Sequence, residues 1–446
     1  MTKVLCFLLY IIISFASFGQ GVADKLGQYF DAAQKANVFN GSVLVVQQGD
    51  TLLNKGYGFK DVDAKTPTNK NTIYQIGSVT KQFTSTVILK LAEQGKLGLN
   101  DKLTKYFPDY PNGNKITIEH LLTHTSGIYN YTTDRAFMES GSDKPSDQQK
   151  MMDLFKNKPL DFEPGTKYNY SNSGYQLLGY IIEKVTGRKY ESVVRELIFT
   201  PLHMTHSGFD FTHLSSTNKA VGYNSLNDSI GNRAKIVDSS VSFSAGAIYS
   251  TTGDLVKWDD AVASAKILSS QSLKNAFTSR LSNYGFGYVI DTLNGDRRIS
   301  HNGGIDGFLS HNSIITNKDI KIVILTNSRS TKMNDVINSV FAILYEKPVA
   351  MPEAKATISL DSTVLKKYIG DYELAPNFKL TITLNGNQLS AQATGQSAAD
   401  IFPQKENYFF YKVVDAQIEF VLNDQGEVDK LVLHQNGQNM PAKKVR

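Results

Sequence analysis

The stretch Gly77-Ser78-Val79-Thr80-Lys81 opens an apolar segment that continues to Gln94 with a helical period. This pattern predicts a buried helix with Ser78 at its start. Side chains at positions i and i+3 share a helix face, so Lys81 can contact Ser78. A serine hydroxyl needs a base within hydrogen-bond reach to act as a nucleophile near neutral pH. The pair therefore indicates a nucleophilic serine and a lysine base whose pKa is lowered by burial or by a nearby cation.

The spacing alone is weak evidence, because the chain repeats it at Ser216-Thr217-Asn218-Lys219. This second copy lies in a polar stretch with no apolar helix after it, and we interpret it as chance. At Ser78, the free N–H groups of a helix start can also stabilise a developing oxyanion. The helix that follows therefore distinguishes the first copy from the second.

A second candidate motif lies in residues 165–172, which follow Pro164 and precede a predicted helix from Tyr175 to Val185. Tyr170 offers a phenol that can relay a proton, and Asn172 offers an amide that can hold a substrate carbonyl. The alternative interpretation is a polar loop with a packed tyrosine.

A third candidate motif, Ser300-His301-Asn302-Gly303-Gly304, lies between two apolar strands. A polar or cationic residue followed by glycines can line one wall of a cleft. The glycines allow a substrate backbone to lie close to the strand. The alternative is a glycine-rich hairpin turn.

In this order, Ser78-Val79-Thr80-Lys81, Tyr170-Ser171-Asn172 and His301-Asn302-Gly303 resemble the three motifs of the penicillin-recognising serine hydrolases. This family includes class C β-lactamases, D-Ala-D-Ala carboxypeptidases, D-aminopeptidases and related esterases. The segments 118–127 and 244–247 are also similar to the family, and the resemblance spans roughly residues 41–327. It implies an α/β (α+β) fold in which a mixed sheet is flanked by helices and joined by a helical lobe. The active site would lie between sheet and lobe.

The resemblance also implies roles for the residues of the three motifs. Ser78 would be acylated, and Lys81 and Tyr170 would share the work of the general base, with the division between them left open. Asn172 would bind the substrate amide. His301, Gly303 and Gly304 would line the substrate site. The backbone N–H groups of Ser78 and Gly304 would form the oxyanion hole.

His301 stands where β-lactamases usually carry lysine. Lysine is cationic near neutral pH, whereas histidine is a titrating group there. A carboxylate-bearing β-lactam would then be held less firmly. Since the peptidase and esterase branches often carry histidine at this position, the residue favours those branches.

The 446 residues favour two domains. Residues 1–19 resemble a signal peptide, with Lys3, an apolar run over 4–15 and a small-residue exit at 16–19, so the mature protein would be periplasmic or secreted. The alternative is an uncleaved membrane anchor, although the run is short for a membrane span. After removal of the leader, no stable membrane span is expected.

The catalytic domain is predicted over residues 20–347, a linker over 348–356 and a second domain over 357–446. Alternating runs in the second domain predict a small antiparallel barrel or sandwich, and it resembles the lipocalin-like modules of some family members. This domain would shape the cleft entrance or support a homo-oligomer. The predicted strands of this domain are 378–384, 387–393, 408–413, 417–422 and 430–435.

Other function classes find little support in the composition. The net charge of +5 is spread along the chain without a basic stripe, so no nucleic-acid partner is expected. The single cysteine, Cys6, lies in the predicted leader, which excludes thiol chemistry in the mature protein. His120 and His124 have helical spacing but lack a third ligand, so we expect a helix end packed near the cleft, no metal and no cofactor.

The sequence thus predicts an exported serine hydrolase that acts on amide or ester bonds of a small-molecule or peptide substrate. A D-amino-acid peptidase or cell-wall carboxypeptidase activity is favoured. A broad esterase or a β-lactamase is the alternative within the class. A catalytically idle penicillin-binding-like sensor is the alternative outside it.

Overall fold

The computed structural model describes residues 21–226, 231–396, 398–412, 416–435 and 437–445. The predicted signal peptide (1–19) lies outside these residues. The described chain forms a helix-flanked sheet followed by a closed barrel, so the α/β fold with a small antiparallel barrel is confirmed. The linker and the domain boundaries around it stay predictions.

The described residues of the first unit form twelve strands. They are β1 (Gly41–Gln47), β2 (Asp50–Tyr57), β3 (Phe59–Asp61), β4 (Thr66–Pro67), β5 (Tyr74–Gln75), β6 (Tyr223–Leu226), β7 (Gly231–Arg233), β8 (Tyr249–Ser250), β9 (Val289–Leu293), β10 (Asp296–Ile305), β11 (Phe308–Ile315) and β12 (Ile320–Thr326). Six of them form the main sheet in the order β2-β1-β12-β11-β10-β9.

Every neighbouring pair in the main sheet is antiparallel, which corrects the expectation of a mixed sheet. The reason lies in the connections: β1–β2 and β9–β12 are joined in chain order by short turns, and such turns join antiparallel strands. The central strands β1 and β12 are apolar almost throughout and buried along their length. This burial on both faces requires a layer of helices on each side of the sheet.

The first unit contains eleven α-helices within the described residues, and some of them supply these two layers. They are α1 (21–35), α2 (Thr80–Glu93), α3 (Ile118–Leu122), α4 (Arg135–Ser140), α5 (Gln148–Asp153), α6 (Asn172–Thr186), α7 (Tyr190–Val194), α8 (Ser239–Gly246), α9 (Thr252–Ala263), α10 (Ser270–Ala276) and α11 (Met333–Leu344). On one face of the sheet, α1 and α11 pack against β1 and β12 in an apolar cluster. On the other face, a larger cluster surrounds α2, whose first three turns are buried.

The second unit starts with a short helix, α12 (Ser362–Leu365), and closes an eight-stranded barrel. The strands follow each other around the barrel and β20 pairs with β13, so the described strands leave no open edge. They are β13 (Gly370–Ala375), β14 (Phe378–Asn385), β15 (Gln388–Ala393), β16 (Ala399–Lys405), β17 (Tyr408–Tyr411), β18 (Ala416–Leu422), β19 (Val428–Gln435) and β20 (Gln438–Lys444).

Five of the barrel strands were predicted, and β13, β16 and β20 were missed. Pro403 lies in β16 and Pro441 lies in β20, and proline normally argues against a strand. The side chains of β20 are mostly polar, so its apolar alternation is weak. These three segments form strands because they complete the closed barrel, although their own sequences show little of the pattern that predicts a strand.

Candidate active site

Ser78 lies in a single 3-10 turn, Gly77–Val79, that leads into α2. Gly77 adopts φ +50°, and a β-carbon there would lie 2.9 Å from the backbone nitrogen of Gly304. The turn therefore packs directly against β10, with no room for a side chain between them. This contact fixes Ser78 at the junction between the helices and the edge of the sheet.

Lys81 is fully buried, and its amine has three oxygen neighbours. The Nζ atom lies 3.2 Å from Ser78 Oγ and donates to Asn172 Oδ1 at 2.8 Å and to the carbonyl oxygen of Ala245 at 2.8 Å. Burial holds the pKa of Lys81 well below its ordinary value of 10.5. The neutral amine is therefore favoured, and it lies within reach of the Ser78 hydroxyl.

Tyr170 lies at the end of the loop that precedes α6 and is buried by aromatic rings. Its ring lies 4.1 Å from the imidazole of His124, and Lys81 Nζ lies 4.8 Å from its centroid. Burial raises the pKa of Tyr170, and the nearby Ser78 hydroxyl opposes this shift. Among the described residues, the Tyr170 hydroxyl makes no hydrogen bond of ordinary geometry, although Ser78 lies close enough to affect its pKa, so the hydroxyl is available to a bound molecule.

Asn172 is the first residue of α6, and its amide is held at both ends. Its Oδ1 accepts from Lys81, and its Nδ2 donates to Thr132 Oγ1 at 3.1 Å. Its backbone N–H donates to Asn130 Oδ1 at 3.0 Å. The side chain is therefore fixed beside Lys81.

His301 is buried on β10 between two oxygen atoms. Its Nδ1 lies 2.6 Å from the Asn302 carbonyl oxygen, so Nδ1 carries the proton, and Nε2 accepts from the Tyr284 hydroxyl at 2.8 Å. Burial and the nearby Lys81 lower the pKa of His301 to about 3. The expectation that His301 titrates near neutral pH is therefore wrong, because its environment keeps the ring neutral.

Gly303 and Gly304 lie on the part of β10 that has an open edge. Strand β9 pairs with β10 only as far as Ser300, and no other described strand continues that pairing. A β-carbon on Gly303 would collide with the Ile76 carbonyl oxygen and with Ser310 Oγ. Glycine is therefore required here for the strand to approach the Ser78 turn, while its other edge stays open to a ligand.

Two cavities meet at Ser78. The larger, of about 710 Å³, is lined by Tyr170 and His301, and the smaller, of about 190 Å³, is lined by Asn172. Ser78 and Gly304 line both. The structure thus brings all the predicted site residues together at one cleft, while their catalytic roles stay predictions.

Sequence reasoning missed several residues of this cleft. Tyr284 has no motif signal, although it donates to His301. Ala245 contributes only a carbonyl oxygen, which no side-chain pattern reveals. His124 was expected only as a residue packed near the cleft, yet it contacts the Tyr170 ring and accepts from the Ser171 N–H through Nδ1 at 3.1 Å.

His120 and the second serine–lysine pair, Ser216 and Lys219, make only local contacts. His120 Nδ1 accepts from the Thr117 N–H and completes the N-terminal cap of α3. Within the described residues, no group of three or more His, Cys, Asp or Glu side chains is arranged to hold a metal ion. Lys219 donates to the Thr212 carbonyl oxygen and Ser216 accepts from the Asn218 N–H, so the second pair acts as two separate loop contacts.

No helix in the described part of the chain has the length and apolar character to cross a membrane.

Comparison with known proteins gives a family for each unit. Residues 26–345 match the family model Beta-lactamase, and residues 354–444 match the Domain of unknown function (DUF3471). The chain is 28% identical to Penicillin-binding protein 4* of Bacillus subtilis (strain 168), over 95% of this chain and 99% of that protein.

Solved structures agree with these sequence matches. The octameric penicillin-binding protein homologue from Pyrococcus abyssi has a TM-score of 0.65 and 25% identity, covering 94% of this chain and 99% of its own. A D-stereospecific amidohydrolase from Streptomyces sp. has a TM-score of 0.61 and 25% identity, covering 71% of this chain and 98% of its own. The chain therefore belongs to the Beta-lactamase family and is a penicillin-recognising serine hydrolase.

Proposed function

We propose that this protein cleaves amide or ester bonds through an acyl-enzyme on Ser78, with D-amino-acid peptides or cell-wall peptides as its preferred substrates. The observation that carries this proposal is the buried Lys81 amine, 3.2 Å from Ser78 Oγ. Its lowered pKa gives it the proton-accepting form that nucleophilic activation requires. The D-stereospecific amidohydrolase among the similar structures supports the choice of substrate.

In the proposed first step, Ser78 Oγ attacks the carbonyl carbon and its proton passes to Lys81. The N–H groups of Ser78 and Gly304 stabilise the oxyanion. The bond to the leaving group then breaks, and the leaving atom takes the proton, relayed through Tyr170. In the second step, water attacks the ester carbonyl and gives a proton to the base. The bond to Ser78 Oγ then breaks, the base returns this proton to Oγ, and the acid product leaves.

The Ser78→Ala variant tests this proposal, and Ser216→Ala is its matched control because it removes the serine of the second serine–lysine pair. We expect Ser78→Ala to lose both turnover and labelling by a fluorophosphonate, while Ser216→Ala keeps both. Labelling that survives in Ser78→Ala would show that another nucleophile reacts.

The competing activities differ in their substrates, and the neutral His301 bears on the choice. A neutral ring supplies no cation for the carboxylate of a β-lactam, which favours peptidase or esterase activity over β-lactamase activity. A panel of a D-Ala-D-Ala peptide, a D-amino-acid anilide, a nitrophenyl ester and nitrocefin separates these activities. A sensor would be acylated by the probe without turning over any member of the panel.

The proposal includes export and self-association. Export to the periplasm or the medium is supported by the leader pattern of residues 1–19. The amino-terminal sequence of protein recovered from those fractions tests it, and an intact Met1 there would contradict cleavage. Self-association through the barrel is supported by the octameric homologue and by exposed apolar side chains on the barrel, among them Phe378 and Leu422.

A further inference from the structure

The two cavities that meet at Ser78 differ in size and in the residues that line them. Tyr170 lines the cavity of about 710 Å³, and Asn172 lines the one of about 190 Å³. In the proposed function, Tyr170 relays the proton to the leaving group, so the leaving group must lie in the larger cavity. The acyl group then lies beside Asn172 in the smaller one.

The volume of the smaller cavity limits the acyl group. Pockets for drug-sized ligands span about 300–1,000 Å³. The larger cavity lies within this range, and the smaller cavity lies below it. The arrangement therefore fits a short acyl group on a large leaving group, rather than a long peptidyl chain that loses a single terminal residue.

The smaller cavity also carries two charges of opposite sign, on Asp306 and Arg329. Asp306 is half-buried in the two-residue turn between β10 and β11, and Arg329 follows β12. Within the part of the chain that the structure describes, neither side chain has a hydrogen-bond or ion-pair partner, and the two do not pair with each other. Both charges are therefore available to a ligand.

The position of Arg329 places its charge beside the proposed oxyanion site. A β-carbon on Gly304 would lie 2.8 Å from Arg329 Nη1. The larger cavity offers no comparable free charge among its described residues, since Arg298 is bound to both oxygens of Asp291 and His301 is neutral. Among the described residues, the charges that can bind a charged group of the substrate therefore lie in the smaller cavity, which holds the acyl group.

We propose that the acyl donor carries a zwitterionic α-amino-acid head group and is attacked at its distal carbonyl, as in γ-glutamyl or β-aspartyl amides and esters. This inference rests on the proposed function. Asp306 binds the ammonium group, and the Arg329 guanidinium binds the carboxylate. A simple α-aminoacyl group would use Asp306 alone and leave Arg329 without a partner.

Four p-nitroanilides of similar length test this assignment: γ-D-glutamyl, glutaryl, 4-aminobutyryl and butyryl. They carry both charges, the carboxylate only, the ammonium only and neither. We expect kcat/KM to be highest for the γ-D-glutamyl compound and to fall by about tenfold for each charge removed, as for a charged hydrogen bond of modest strength. The L-γ-glutamyl compound reports the preferred stereochemistry.

Two variants assign the charges separately. Asp306→Asn should lower kcat/KM only for the two substrates with an ammonium group, and Arg329→Gln only for the two with a carboxylate. Asp63→Asn is the control, because it removes an exposed carboxylate outside both cavities. Equal kcat/KM for all four anilides in the wild-type protein, or variants that affect all four alike, would overturn the assignment.

The outcome also separates this inference from the proposed function. Ser78-dependent turnover without charge preference overturns the zwitterion site and leaves the acyl-enzyme intact. Absence of both turnover and fluorophosphonate labelling overturns both.

Discussion

A neutral lysine amine has two N–H donors and one lone pair, and the Lys81 amine has one neighbouring group suited to each of these three. The Asn172 amide oxygen and the Ala245 carbonyl oxygen accept the two N–H groups. The lone pair is then left for the Ser78 hydroxyl. An ammonium group would instead direct its third N–H at Ser78 and could not accept the proton. The contacts and the lowered pKa thus favour the same protonation state.

Because the Lys81 amine is neutral in the folded protein, the free energy of unfolding depends on pH. The Lys81→Met variant removes this contribution. Lys81 has a lowered pKa when folded and 10.5 as its ordinary value, so between these values it releases a proton on folding. The unfolded chain then binds more protons, and stability rises with pH in that window. We expect the free energy of unfolding of the wild type to gain up to about 1.4 kcal/mol per pH unit relative to Lys81→Met.

Urea unfolding of both proteins at several pH values up to 10 measures this difference, and the other titrating groups cancel because they are common to both. A constant difference across the range would mean that Lys81 keeps its proton in the folded state.

Turnover by Lys81→Met should fall by about 10²–10⁴-fold, the usual contribution of a general base.

His301 offers a second test at the scale of one residue. The ring is neutral at physiological pH, so the cleft lacks a cation at this position. His301→Lys should raise the rate at which nitrocefin acylates Ser78 by about tenfold, equivalent to one favourable charge contact. His301→Gln is the neutral control and should not raise it. Equal acylation of the Lys and Gln variants would show that the β-lactam carboxylate lies elsewhere.

At the scale of elements, one histidine holds the loop before α6 in place. His124 adopts φ +58°, accepts from the Ser171 N–H and contacts the Tyr170 ring. It therefore positions Tyr170 without facing the substrate. His124→Ala should lower kcat by up to about 10²-fold, the cost of a misplacement near 1 Å.

His124→Asn is the conservative comparison, because asparagine tolerates a positive φ and its amide oxygen can accept from the Ser171 N–H. We expect this variant to recover part of kcat, with KM close to the wild-type value in both variants. If alanine and asparagine lower kcat equally at equal thermal stability, the Ser171 contact does not set the position of Tyr170.

The elements also show how far the sequence could predict this site. Ser78 and Lys81 share one turn, so their contact follows from local spacing. Asn172 and the Ala245 carbonyl reach Lys81 from 91 and 164 residues away. Asn172 was predicted to bind the substrate amide, and its contact with Lys81 was not predicted. Tyr284 and the backbone oxygen carry no local signal, because their roles arise from packing between distant segments.

At the scale of the whole molecule, the two units have separate apolar cores. The clusters around the sheet contain residues between 22 and 349 only, and the barrel cluster contains residues between 360 and 442 only. Tyr368, Phe409 and Phe420 pack inside the barrel at ring distances of 4.4–5.4 Å. Since each unit buries its own apolar residues, each should fold without the other.

A truncation after Pro352 therefore separates the two roles that were open for the barrel. If the barrel serves self-association, the truncated protein keeps its thermal transition and fluorophosphonate labelling at Ser78, while its mass by light scattering falls to that of one chain. If the barrel shapes the cleft entrance, kcat/KM for a peptide falls while the mass per particle is unchanged. We expect the first result, because the exposed apolar side chains Phe378 and Leu422 lie on the barrel. Full-length Phe378→Ser tests the interface without truncation, and an unchanged oligomer in that variant would place the contact on another surface.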